Sequence, residues 1–130
     1  MKLFVWDFHG VLEKGNDYAF IEITNYVLEK NGFDRRMTLV DAEIMAGHRW
    51  HEYYAYLLPG VDQKKCFALQ EESIENFKPE IVAKHIQLND HAELVLESIQ
   101  NSPFTQILIS NTQPWILDEF VKSVGVEKYF

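Results

Sequence analysis

Asp7 and His9 stand two residues apart, directly after an apolar run, Leu3-Phe4-Val5-Trp6, and directly before Gly10. A carboxylate and an imidazole in that order can supply a nucleophile and a proton carrier. The apolar run reads as a short buried strand that delivers Asp7 to its carboxyl end, and Gly10 reads as a sharp turn of the backbone. In an open α/β sheet, ligands bind at that end of the strands. A carboxylate placed there is costly unless a cation, a hydrogen-bond donor or a proton meets it. Near the other terminus, Phe104 to Ser110 reads as a second strand, which puts Ser110 and then Asn111 at a carboxyl end of its own.

Two further groupings have chemistry-bearing side chains. His48-Arg49-Trp50-His51-Glu52 spaces two histidines by three residues, with Glu52 four after His48, a spacing that can hold a metal on one helix face. No third ligand stands at a matching position, so a solvated helix face is the better reading. The aromatic residues Trp50, Tyr53, Tyr54 and Tyr56 read as packing rather than a base-stacking platform, because no basic residues are interleaved among them.

The elements that position these residues follow from apolar spacing and its punctuation. Asp17 is placed to cap a helix whose face is Phe20, Ile23 and Val27, ending near Asn31-Gly32. Thr38-Leu39-Val40-Asp41 resembles a capping box that opens a short helix stopping by Gly47. A third helix through Trp50 and Leu57 ends at Pro59-Gly60, Asp62 caps a fourth, and Pro79 suits the first turn of a fifth. Asn89 or Asp90 caps a helix whose stripe is Leu94, Val95 and Ile99. After the second strand, Thr112 and Pro114 open a last helix that Gly125 stops.

Two apolar strands separated by so long a crossover imply a parallel pair, since a hairpin needs only a few residues between its strands. Parallel sheets are buried on both faces and seldom have two strands. The sheet is therefore expected to be completed by further strands beyond Phe130 or by a second copy of the chain. The 130 residues suit one domain with an inserted segment, and 47% apolar with 25% charged residues is an ordinary globular composition. A net charge of −8 argues against nucleic acid as a partner. No apolar run approaches the roughly 20 residues of a membrane span. The lone Cys66 and the lack of a signal-peptide layout point to a cytoplasmic location.

The run Asp-Phe-His-Gly-Val-Leu at residues 7–12 resembles the first motif of the haloacid dehalogenase-like (HAD) hydrolases, usually Asp-x-Asp-Gly-Thr/Val-Leu. Ile-Leu-Ile-Ser-Asn-Thr, ending the second strand, resembles that family's second motif, and Val-Gly-Val-Glu-Lys-Tyr-Phe resembles a common ending after it. The helical block between the two motifs lies where one branch of the family inserts a cap. The implied fold is α/β: a HAD-like, Rossmann-like parallel sheet, of which this chain carries two strands, with an inserted α-helical cap. Residues 1–12 and 88–130 would form the incomplete core and residues 13–87 the cap.

The resemblance implies that Asp7 is the nucleophile of a Mg²⁺-dependent phosphatase acting on a small phosphorylated metabolite through an aspartyl-phosphate. His9 takes the place of the usual general-acid aspartate. Ser110, Asn111 and Gly10 would hold the phosphoryl group, Mg²⁺ would bind the Asp7 carboxylate and the His9 backbone carbonyl, and His48, Arg49 or Tyr53 on the cap would contact substrate. The family's third motif, a Lys or Arg, and its fourth, an acidic pair, have no counterpart in the twenty residues after Ser110; Lys122, Lys128 and Glu127 do not take those roles. The alternative is a HAD-derived binding module, catalytically impaired or truncated.

Overall fold

The computed structural model describes residues 2–130. In chain order its elements are β1 (Leu3–Trp6), β2 (Glu13–Lys14), α1 (Asn16–Lys30), α2 (Leu39–Ile44), α3 (Trp50–Leu57), α4 (Gln63–Glu75), α5 (Pro79–His85), β3 (Gln87–Leu88), α6 (Ala92–Gln100), β4 (Thr105–Leu108) and α7 (Pro114–Val124), with a 3-10 turn at Glu127–Tyr129. They form two compact units, one comprising the chain up to Asn16 together with Pro79–Phe130, the other Asp17–Lys78. The fold is α/β with an all-helical insert. No helix among the described residues is long and apolar enough to cross a membrane.

In the sheet unit, β1 and β4 pair in parallel with Trp6 opposite Leu108, and the Ile109 amide N–H donates to the Trp6 carbonyl at 2.9 Å. Both strands therefore finish at one level, which puts Asp7 and Ser110 at the same end of the pair. One polar residue, Gln106, is buried in β4 and is satisfied at both ends of its amide. It accepts from the Trp6 indole N–H at 3.2 Å and donates to the Leu96 carbonyl at 3.0 Å. Beneath the strands, Phe8, Leu12, Val82, Ile86, Leu96, Ile116, Phe120 and Val126 are buried.

A second ladder, absent from the sequence reading, joins β2 to β3 antiparallel, with Glu13 opposite Leu88 and Lys14 opposite Gln87. Two residues per strand cannot show a period of two, so apolar spacing carries no trace of it. Gly15 follows β2 at φ +103°, and a Cβ there would lie 1.9 Å from the His85 carbonyl oxygen, so only glycine fits. Because β3 pairs with β2 and α5 packs on α7, residues 79–87 go with the sheet unit. The divisions consequently fall at 16/17 and 78/79, not at 12/13 and 87/88.

Two expectations for α6 change. Its N-cap is His91, in the left-handed region at φ 63°, and neither Asn89 nor Asp90 caps it. The Asn89 side-chain amide donates to the Val11 carbonyl at 3.1 Å, and Asp90 pairs with Lys14 at 2.9 Å. The buried residues of α6 are Leu96 and Ile99, whereas Leu94 and Val95 are exposed. Apolar side chains occur on both faces of α6, so apolar spacing placed Ile99 correctly but took Leu94 and Val95 for core in place of Leu96.

The helical unit follows its punctuation more closely. Thr38 and Asp41 form the capping box of α2: the Thr38 amide N–H donates to the Asp41 carboxylate at 2.8 Å and the Asp41 amide to the Thr38 hydroxyl at 3.3 Å. Asp62 caps α4 by accepting from the Lys65 amide at 2.8 Å. The core holds Val27, Leu28, Met37, Tyr53, Tyr54, Leu57, Cys66 and Leu69, with Phe20 stacked on Trp50 at 4.4 Å between ring centroids. Asp17 lies inside the first turn of α1, which begins at Asn16, instead of capping it.

Candidate functional site

Asp7 leaves β1 exposed to solvent, with one carboxylate oxygen accepting from the Phe8 amide N–H at 2.7 Å. Phe8 turns inward and is fully buried, which anchors the loop, and Gly10 makes the turn at φ +75°. The Gly10 N–H, expected to meet a phosphate, is directed at Glu13 instead: its carbonyl at 3.1 Å and its carboxylate at 3.3 Å. In this arrangement Gly10 supplies the bend and not a free donor.

His9 is held at both ring nitrogens. Nδ1 lies 2.8 Å from Glu13 Oε1 and Nε2 lies 3.0 Å from the Thr112 hydroxyl. The rings of Phe8 and Phe120 stand nearly perpendicular to it at centroid distances of 5.3 and 4.7 Å. The His9 side chain is 26% exposed and that of Glu13 is 1% exposed. Glu13 Oε2 is buried with no hydrogen-bond partner among the described residues. Ser110, past the end of β4, donates its hydroxyl to Thr112 Oγ1 at 3.0 Å and accepts from the Thr112 amide N–H at 3.1 Å. The loop before α7 thus brings Ser110 and Thr112 to the His9 ring. Asn111 is exposed in that loop.

Glu13 was not singled out in the sequence. Its signal was a histidine and a glutamate four residues apart across a glycine turn, and that pattern is common on surfaces. Thr112 was read as the cap of α7, but Gln113 is the N-cap residue, and the Thr112 hydroxyl meets His9.

The helical unit places its three candidates differently. Tyr53 is buried in that unit's core, tilted against Phe20 at 4.7 Å; burial pushes its phenol up, with Asp17 adding to the effect. His48 and Arg49 are exposed; His48 Nδ1 lies 3.0 Å from the Met45 carbonyl and the Arg49 amide donates to Glu52. His51 stacks on Phe67 at 4.2 Å and its Nδ1 lies 3.0 Å from the Gln70 side chain.

Mg²⁺ takes six oxygen ligands in near-octahedral geometry. The Asp7 carboxylate and the His9 carbonyl are oxygen donors of the right kind, but they are two of six. No cluster of three or more metal-ligating side chains occurs among the described residues. The donor type fits, and waters and substrate phosphate ordinarily fill the remaining positions around Mg²⁺.

An acid and a hydroxyl stand at the carboxyl ends of adjacent parallel strands, with a helical insert between those strands in sequence, and this makes the chain an α/β protein with polar side chains gathered at one strand end. The family model of the haloacid dehalogenase-like hydrolases matches residues 4–130, and the chain belongs to that family. Among solved structures it is similar to a haloacid dehalogenase-like family hydrolase from Streptococcus pneumoniae, with TM-score 0.84 and 12% identity over 100% of this chain and 59% of that one. A protein described as a predicted phosphatase from Clostridium acetobutylicum gives TM-score 0.80 at 14% identity, covering 99% of this chain and 58% of that one. One described as a predicted phosphoglycolate phosphatase from Haemophilus somnus gives 0.81 at 10% identity, covering 100% and 60%. At such identities the likeness is one of fold. The chain spans somewhat under two thirds of the length of these relatives. No match was found among curated protein sequences.

Proposed function

We propose that this chain carries the nucleophile and the proton carrier of a phosphohydrolase acting on a small phosphorylated molecule. The Asp7 carboxylate attacks phosphorus, and the bond from phosphorus to the leaving oxygen breaks. The His9 ring, entering this step with a proton on each nitrogen, gives that oxygen its proton from Nε2 and keeps the one on Nδ1. Water then attacks the aspartyl-phosphate, passes a proton back to Nε2 and releases phosphate, so both residues end as they began. Ser110 and the Asn111 amide donate to the phosphoryl oxygens, where charge builds in the transition state. Mg²⁺ held by the Asp7 carboxylate, the His9 carbonyl and further oxygen ligands would offset phosphate charge.

The observation that carries this reading is the His9 ring, held at both nitrogens where Asp7 and Ser110 leave adjacent strands. The phosphatase descriptions of two fold relatives support the substrate class. His9, standing where the family's usual acid does, supports a second reading, a HAD-derived binding module without turnover.

Hydrolysis of an aryl phosphate with Mg²⁺ separates the two. The expected result is measurable turnover that falls at least about a thousandfold in Asp7→Asn and about 10²–10⁴-fold in His9→Ala. A wild-type chain with no turnover, or an Asp7→Asn variant as active as wild type, overturns the phosphohydrolase reading.

A further inference from the structure

His9 differs from a carboxylate in having two chemically distinct nitrogens, and the structure treats them differently. Nδ1 faces the buried Glu13, while Nε2 faces the half-exposed Thr112 loop. Glu13 Oε1 already accepts from the Gly10 amide N–H at 3.3 Å, so it stands as an acceptor toward the ring and Nδ1 donates to it. In the neutral ring Nε2 then has a lone pair and takes the Thr112 O–H, whose oxygen in turn accepts from Ser110. Every bond in the chain Ser110–Thr112–His9–Glu13 runs in one direction, and each hydroxyl donates once.

Resting on the phosphohydrolase reading above, we infer that Glu13 and Thr112 are positioning residues that fix the ring and tautomer of His9, making Nε2 its one working nitrogen. A carboxylate or carbonyl on the far nitrogen is the ordinary means of fixing an imidazole's tautomer and orientation. Glu13 is suited to it because its carboxylate is buried, and the β2–β3 ladder and the Gly15 turn set its backbone. The perpendicular rings of Phe8 and Phe120 limit ring rotation. Thr112 occupies Nε2 until a leaving-group oxygen or the attacking water replaces it, and its bonds to Ser110 tie that exchange to the residue assigned to the phosphoryl group.

The test reads the ring directly. Two-bond ¹⁵N–¹H correlations of His9, recorded on the full chain at alkaline pH where imidazole is neutral, are expected to show the proton on Nδ1. Glu13→Gln keeps an acceptor oxygen and retains this tautomer, whereas Glu13→Met moves the proton to Nε2. Thr112→Val leaves the proton on Nδ1 but shifts the Nε2 resonance, because its donor is gone. In turnover, Glu13→Met is expected to lower kcat about a hundredfold and Glu13→Gln about tenfold with KM little changed.

Wild-type His9 protonated at Nε2 overturns the inference, and so does a folded Glu13→Met variant with the wild-type tautomer. If Glu13→Met does not fold, the wild-type tautomer and the Thr112→Val shift decide. An Nδ1–H tautomer in a chain without turnover overturns the phosphohydrolase reading and leaves this inference standing.

Discussion

Replacing a carboxylate by an imidazole two residues beyond the strand end changes what the neighbouring residues must be. An imidazole exchanges protons near neutral pH, but it needs a partner on its far nitrogen to fix its tautomer, and Glu13 meets that need at 2.8 Å. The two residues therefore act as a pair, and exchanging His9 alone for the more usual acid brings two carboxylates together around a buried site. His9→Asp is expected to destabilise the chain by about 3 kcal/mol, because it leaves a buried carboxylate with the Gly10 amide as its remaining donor and adds like charge beside it. His9→Asp combined with Glu13→Met should recover most of that loss, a non-additivity expected only of residues in contact. Urea unfolding of the two variants checks it. A His9→Asp single variant as stable as wild type would show that Glu13 does not depend on His9. This dependence is also why Glu13 was illegible in the sequence: its significance comes from burial, and nothing in a glutamate four residues after a histidine announces burial.

At the scale of elements, the α3–α4 pair holds a phenol that burial has made a poor acid. Tyr54 is fully buried on α3; its hydroxyl meets Ser73 Oγ on α4, and Ser73 donates to the Leu69 carbonyl at 2.8 Å. Burial pushes the Tyr54 phenol up to about 12, with Ser73 opposing. The folded phenol thus keeps its proton at pH values where the unfolded one has lost it. Its contribution is complete below about pH 10 and is lost as pH rises toward about 12, a change worth about 3 kcal/mol across that window. Tyr54→Phe should remove this alkaline sensitivity at a cost of about 1 kcal/mol at neutral pH, since Ser73 keeps Leu69 as acceptor. Urea midpoints measured from about pH 9 to about pH 12 test it, and parallel curves for the two proteins would refute it. Two caps were legible because each is written within four residues, Thr38 with Asp41 and Asp62 ahead of Lys65, whereas the caps expected at Asp17, at Asn89 or Asp90 and at Thr112 do not form. The phase of α6 was legible only in part: Ile99 is buried as expected, but Leu94 and Val95, which look like core residues to any apolar count, are exposed, and Leu96 is buried instead, its carbonyl accepting from Gln106. Asp7 and Ser110 could be read because strand ends are local features. The ring geometry at His9 depends on Thr112, 103 residues away, and could not.

For the molecule as a whole, the parallel sheet presents a surface that a complete α/β domain would bury. Leu3 and Val5 on β1, Ile107 on β4 and Ile109 just past its end are 37–57% exposed, and Val5 lies opposite Ile107 in the register. Among the described residues each strand also has one unpaired edge. An apolar parallel face with open edges is a template for association, and the opposing influence is the net charge of −8, which makes copies of the chain repel one another. The balance between them depends on salt. At low ionic strength the chain should sediment as a monomer that binds a hydrophobic dye. In about 0.5 M salt, where screening reduces the repulsion to within a few ångströms, it should associate. Val5→Thr with Ile107→Thr keeps the branched side chains that suit a strand while removing apolar area, so it should lower dye binding and abolish the salt-induced association. Stability should change by no more than about 0.5 kcal/mol, because neither side chain is buried. Sedimentation velocity across a salt series, with dye fluorescence on the same samples, distinguishes the outcomes. Association that is equal in the double variant and wild type would place the adhesive surface elsewhere, while dye binding that persists in the variant would point to the exposed Leu94 and Val95 of α6.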